Sequence, residues 1–325
     1  MATFQAAVRK ALSPEQQDLI DHPEHCSADP EALAGIGRAA GHQVRVTAYG
    51  QAPGEFALYT VSEVRDEPIG DTVRMGRGGR ERLGTTAEFT ATVDSVVPRQ
   101  GLTDEKAEQL GEFVERLDDD GTHQGLIAIA PHGGDIERHT DEQAERVALR
   151  LADQGVSVWR CKGFGLANGN ALRRLHVTST DIHEGSFPAL RSIVGRGFRY
   201  AVAFHGFRDE EILVGGGASF RLKAEIACAI EDALPAAGIA VRVAGPDDIL
   251  GGQSPRNIVN RLTASGRGGI HIEQSLRART EHALTVADAV ADVFAGRLDP
   301  PPCPGPRWWR FVRKVWDVVR GVRAR

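Results

Sequence analysis

Two hydrophobic periodicities divide this chain. Beyond residue 125, short apolar runs alternate with longer stretches of helical spacing: LIAIA (126–130), VSVWR (156–160), LHVT (175–178), YAVAF (200–204), ILVG (212–215), AVRVA (240–244) and GIHIE (269–273). Runs that stay apolar instead of alternating suit strands covered on both faces by helices. The pattern therefore predicts a three-layer α/β/α domain with a mostly parallel or mixed central sheet. Between residues 42 and 97 the texture differs. HQVRVTAY, EFALYTVSEV, DTVRMG and EFTATVDSVV alternate in strand fashion between Gly, Pro and Asp turns, and so many strands in so short a span predict a small β-barrel-like domain.

The flanking segments read as helices. Over residues 1–42, LSPEQQDLI offers Ser13 as cap with Pro14 behind it, and DPEALAGIG repeats the design with Asp29 and Pro30. GLTDEKAEQLGEFVERL (101–117) predicts one amphipathic helix capped by Thr103. RLDPPPCPGP then breaks the chain before RWWRFVRKVWDVVRGVRAR. The expected divisions are a helical segment (1–42), the barrel (43–100), the α/β domain (101–298) and a Pro-rich linker with a basic, Trp-rich helix (299–325).

Composition narrows the setting. With 325 residues and a formal charge of -5, nothing favours nucleic acid as a partner. Cys26, Cys161, Cys228 and Cys303 form no CxxC pair, which fits reduced thiols in a cytoplasmic protein. No apolar run approaches a membrane span, and the first residues lack a secretory apolar core.

Chemistry concentrates at strand ends. APHGGDIE (130–137) puts His132 at the carboxyl end of LIAIA, with two glycines to turn the chain and Glu137 shortly before a helix. AVAFHG ends a second strand in His205, and GGIHIEQ ends a third in Glu273. Neighbouring parallel strands would bring these groups to one sheet edge, where open α/β sheets bind ligands. His132, Glu137 and His205 then make a two-His, one-carboxylate zinc site with a position left for water, and Glu273 is placed as general base. Each residue also has an ordinary reading as a hydrogen-bonding strand end. His139, His176, His183 and His271 read as structural or surface groups, and Asp135 as a partner that orients a ligand or simply faces water.

IAPHGGDIE, LHVTS, AFHGF followed by VGGG, NIVNRL and GGIHIEQSLR together resemble the phage-type poly-γ-glutamate hydrolase family, in the family's motif order, over about residues 124–296. The resemblance implies a fold like that of metallocarboxypeptidases, zinc as cofactor, His132, Glu137 and His205 as its ligands, and Glu273 as the catalytic glutamate. It also implies that Asn257, Asn260 and Arg261 bind a substrate carboxylate. Arg277 is a further candidate for clamping a carboxylate or stabilising an oxyanion. The implied reaction is hydrolysis of a γ-glutamyl amide in a peptide-like or polyglutamate substrate. Alternatives are a carboxypeptidase-like peptidase, an amidohydrolase on another peptide or N-acyl amino acid, and a non-catalytic binding module built on a degenerate core.

The resemblance covers neither end. Residues 43–84 are faintly similar to small double-psi barrels, and their GRGGRERLG turn offers Arg77, Arg80 and Arg82 to an acidic substrate or to solvent. In the tail, Trp309, Val312, Trp316 and Val319 make a stripe beside Arg310, Arg313 and Arg320, suited to a membrane surface, a protein partner or the chain's own body.

Overall fold

The computed structural model describes residues 2–51, 55–166 and 170–298. The tail, for which the sequence predicts a helix with a membrane or partner role, lies outside them. Strands β1 (Thr3–Lys10), β2 (His25–Ala28), β3 (Gln43–Ala48), β4 (Ala57–Val64), β5 (Thr72–Met75) and β6 (Phe89–Asp94) close into a barrel in the order β1-β5-β2-β4-β3-β6. Alternation sends Val44, Val46, Tyr59, Val61, Ala91 and Val93 inward, where they pack with Ala6 and Val8.

The barrel thus takes in the first residues, where only helical pieces were expected. TFQAAVRK is a strand whose small inward residues hide its alternation. It pairs antiparallel with β6 and parallel with β5, so long-range pairing overrides weak local preference. The two expected helices are short: α1 (Gln17–Asp21) begins after the Ser13 and Pro14 turn, whereas α2 (Pro30–Gly35) is capped as read, Asp29 accepting from the Glu31 and Ala32 amides. A third, α3 (Arg77–Glu81), follows β5.

Helix α4 (Asp104–Leu110) is capped by Thr103, but Gly111 in the left-handed region ends it at φ 63°. The rest of the expected helix is strand β7 (Phe113–Asp118), an antiparallel edge of the second sheet. That sheet continues with β8 (Leu126–Gly134), β9 (Val156–Gly163), β10 (Tyr200–Gly206), β11 (Glu211–Gly215), β12 (Ala240–Val243) and β13 (Gly269–Gln274), in the order β12-β11-β13-β10-β8-β9-β7. Pairs β13-β10, β10-β8 and β8-β9 are parallel. Helices α5 (Thr140–Arg150), α8 (Phe220–Ala233) and α10 (Leu276–Ala295) cover one face, and α6 (Ala171–Leu175), α7 (Pro188–Ile193) and α9 (Ile258–Arg261) the other.

Between β9 and β10 the expected strand LHVT is absent among the described residues. Arg82 takes the carbonyls of Arg174 and His176, and the His132 ring takes that of Val177, so side chains satisfy this backbone in place of a sheet neighbour.

The two bodies share a core. Phe56 and Leu58 of the barrel join Ile127, Ile129, Phe187 and Leu190 in one buried cluster. A buried ion pair, Arg45 to Glu112 at 2.8 Å, crosses the same junction, and the Arg45 guanidinium lies 3.6 Å above the Phe56 ring. The Arg-rich turn is part of this joint. Arg82 is buried against the His176 segment, Arg80 bonds the carbonyls of Thr86 and Met75, and only Arg77 is exposed, paired with Glu81. Neither Arg80 nor Arg82 is free to meet an acidic substrate.

Candidate active site

Strand parity explains how the site assembles. On β13, Ile270 and Ile272 pack under α10, so His271 and Glu273 face the other side; on β10, Val202 and Phe204 likewise leave His205 there. His205 and Glu273 are register partners. By the same count His132 would point to the wrong face, since Leu126, Ala128 and Ala130 lie under α5. The register of β8 shifts between Ala130 and Gly133, and this irregularity turns His132 onto the face of His205. Gly133 is needed there because a β-carbon would press on Asp141, and Gly134 turns the chain at φ 67°.

Six side chains meet at and beside the carboxyl ends of three adjacent parallel strands. His132 Nδ1 lies 3.0 Å from Glu137 Oε1, His205 Nδ1 lies 3.3 Å from Glu137 Oε2, and the two Nδ1 atoms are 3.1 Å apart. All three residues are buried. The main-chain amide of Gly206 donates to Glu137 Oε2 at 3.0 Å. His176, only half-buried, stacks on His132 with ring centroids 4.2 Å apart. His271 Nε2 meets Glu273 Oε1 at 2.9 Å, and its ring lies 4.2 Å from that of His205.

Charge is distributed unevenly across this cluster. Burial works against a charged His132 ring, but Glu137 beside it prevails and raises its pKa. Burial likewise opposes ionisation of Glu137, and His132 holds the carboxyl well below the usual carboxylate range. Burial pulls His205 down, helped by His271, and pulls His176 down further, helped by His132.

The residues fit a metal ion on two counts. A tetrahedral zinc with bonds near 2.0–2.1 Å needs donor-to-donor edges of roughly 3.3–3.4 Å, close to the spacings around His132, Glu137 and His205. The Val177 carbonyl, 2.8 Å from His132 Nε2, can only accept, so Nε2 carries a hydrogen and Nδ1 is the atom presented to a metal. Beside them, His205 Nε2, His271 Nδ1 and Glu273 Oε2 are buried without a hydrogen-bond partner. His132, Glu137 and His176 form one group of metal-type donors, and His205, His271 and Glu273 a second.

Not every expected residue arrives. Asn257 lines the chamber over these groups, although its side chain also caps α9. Asn260 is consumed structurally, accepting from Gly217 and donating to the carbonyls of Gly252 and Ser254. Arg261 points away from the chamber, to Glu184 and the Ile182 carbonyl. Arg277 is on the outside of α10 against the Gly238 carbonyl. Residues two positions apart on a helix point about 200° apart, so it is Arg279 that turns inward, packed on Gly206 and donating to the Arg138 carbonyl at 2.9 Å. Asp135 bonds Gly165 and Arg138 instead of orienting a site histidine.

His176, His271 and Arg279 are the residues that sequence reading missed. The signal for His271 was parity, since His and Glu two apart on a strand share a face. For Arg279 it was the helical offset from Ser275, which caps α10.

The fold and this cluster define a mixed α/β-sheet protein with its polar groups gathered at the strand ends. More particularly, the chain belongs to the poly-gamma-glutamate hydrolase family, whose sequence profile matches residues 105–286. The SPbeta prophage-derived UPF0714 protein YoqZ of Bacillus subtilis (strain 168) is 27% identical over 164 residues, 50% of this chain and 54% of YoqZ. The chain therefore spans about half the length of that curated relative. The structure of a bacteriophage poly-gamma-glutamate hydrolase is 31% identical and covers 57% of this chain and 89% of its own, with a TM-score of 0.44. YndL in its zinc-free apo form is 24% identical and covers 57% and 90%, with a TM-score of 0.43. The barrel lies outside the family match. No helix among the described residues is long and apolar enough to cross a membrane.

Proposed function

We propose that this chain is a metal-dependent hydrolase of γ-glutamyl amide bonds, with zinc as the metal and His132, Glu137 and His205 as its ligands. The observation that carries the reading is the convergence of three buried side chains, with the Nδ1 atoms of His132 and His205 3.1 Å apart and each within 3.0–3.3 Å of a different oxygen of Glu137, beside a carboxylate oxygen with no partner. A bound zinc ion supplies the Lewis acidity that polarises the scissile carbonyl and activates water.

The chain's own groups do the rest. Glu273 is held by His271 through Oε1, which leaves Oε2 to take the proton of the attacking water. The C–O bond forms as the water adds to the carbonyl carbon; the same carboxyl then delivers that proton to the departing nitrogen, the C–N bond breaks, and the products are a carboxylate and an amine. Arg279, whose guanidinium is buried beside Gly206, supplies fixed positive charge toward the developing oxyanion.

The test is Glu273→Gln assayed on a γ-glutamyl peptide with metal content measured in parallel. A fall in kcat of about 10²–10⁴-fold, the range for loss of a general base, is expected with metal retained. Unchanged turnover removes Glu273 from this role.

A further inference from the structure

The site opens in two directions. On one side is a chamber of about 250 Å³, bounded by the site histidines and by Thr178, Ser179 and Asn257. On the other is a groove of about 960 Å³ between the α/β domain and the barrel, walled on the barrel side by Pro23, Gly78 and Glu81. Glu137, His176, Gly206 and Leu250 border both, so a chain lying in the groove enters the chamber past the site.

The chamber is small, and no lysine or arginine among the described residues lines it. At roughly 30 Å³ per water it holds about eight water-sized positions, room for about one γ-glutamyl unit. Its outer wall is hydroxyl and amide groups, and Arg261, the cation expected there, is turned to Glu184.

The groove's charges are mixed. Four exposed side chains, Arg173, Arg208, Asp209 and Glu210, have no hydrogen bond or ion pair among the described residues, two of each sign. The other charged walls are occupied: Glu24 by Thr178, Glu81 by Arg77, Arg82 and Arg279 by main-chain carbonyls. Exposed leucines, Leu172, Leu250 and Leu276, complete the lining.

A homopolymer of carboxylates fits this badly. Every repeat would carry the same negative charge past Asp209 and Glu210, and like-charge contact is a means of rejecting a ligand. From this, and resting on the γ-glutamyl hydrolase reading above, we infer that the groove selects a γ-glutamyl bond embedded in a peptide of mixed composition, with an amine-bearing residue and apolar side chains, over a long polyglutamate. The amine-bearing residue meets Asp209 and Glu210, a single carboxylate meets Arg173 or Arg208, and the apolar side chains lie on the leucines.

The test uses the full-length, metal-loaded protein and two tetrapeptides that share a γ-glutamyl linkage at the same position. One is all γ-glutamate; in the other, two alanines and a lysine surround a single γ-glutamyl residue. The mixed peptide is expected to have the higher kcat/KM, by about tenfold, the order set by two exposed charge contacts. In the double variant Asp209→Asn, Glu210→Gln that ratio falls toward one, while Asp209→Glu keeps it. Equal or faster cleavage of the all-glutamate peptide, or a ratio unmoved by the double variant, overturns the inference and leaves γ-glutamyl hydrolysis standing. Cleavage of neither peptide overturns the hydrolase reading, and this inference with it.

Discussion

The joint between barrel and sheet makes a pH-dependent contribution to stability. His25 on β2 bridges two carboxylates, Asp18 at 2.7 Å within the barrel and Asp181 at 2.8 Å across the junction. Burial disfavours the charged ring, but the two carboxylates prevail and raise its pKa from 6.5 to about 9. A rise of that size caps the contribution at about 3 kcal/mol. Half of the Asp18 side chain faces water, and solvent screening trims the figure to about 1–2 kcal/mol.

The sign follows from the raised value. Folding favours protonated His25, so the stabilisation is fully present below pH 6.5 and is lost as pH rises through about 9. The perturbation is His25→Gln, which keeps polarity and removes the charge, and the assay is thermal unfolding of both proteins from pH 6 to 10. The wild type should melt roughly 2–5 °C higher near pH 6, with the gap closing by pH 10. A gap independent of pH would show that His25 contributes packing alone and refute the charged bridge.

Other predictions follow from contacts at the site. Gly206→Ala would set a β-carbon against the Arg279 guanidinium; kcat/KM should fall by about 10–100-fold with metal content unchanged, and full activity would show that Arg279 need not stay where it is. Arg82→Met removes the donors that hold the Arg174 and His176 carbonyls. It should destabilise the chain by about 2–3 kcal/mol in denaturant unfolding, whereas a change under about 0.5 kcal/mol would show that the barrel does not brace the His176 segment.

The parts of the site visible in the sequence were those that strand ends dictate. An apolar run followed by His or Glu is legible because strand length and direction fix where it terminates, and His132, His205 and Glu273 all reached one edge of adjacent parallel strands. What escaped depended on geometry that a linear pattern does not carry. The face of His132 depends on a register irregularity, and the choice of Arg279 over Arg277 depends on where α10 begins. Strand β1 was obscured because its partners lie about 65 and 80–90 residues away and its small inward residues give little periodic signal.

The central claim is that His132, Glu137 and His205 hold one metal ion, and elemental analysis of the purified protein tests it most directly. Wild type should carry about one zinc per chain, and His132→Ala and His205→Ala should each lose it while circular dichroism shows the fold intact. A wild type that takes up no metal at neutral pH with zinc supplied, or variants that keep it, would contradict the account.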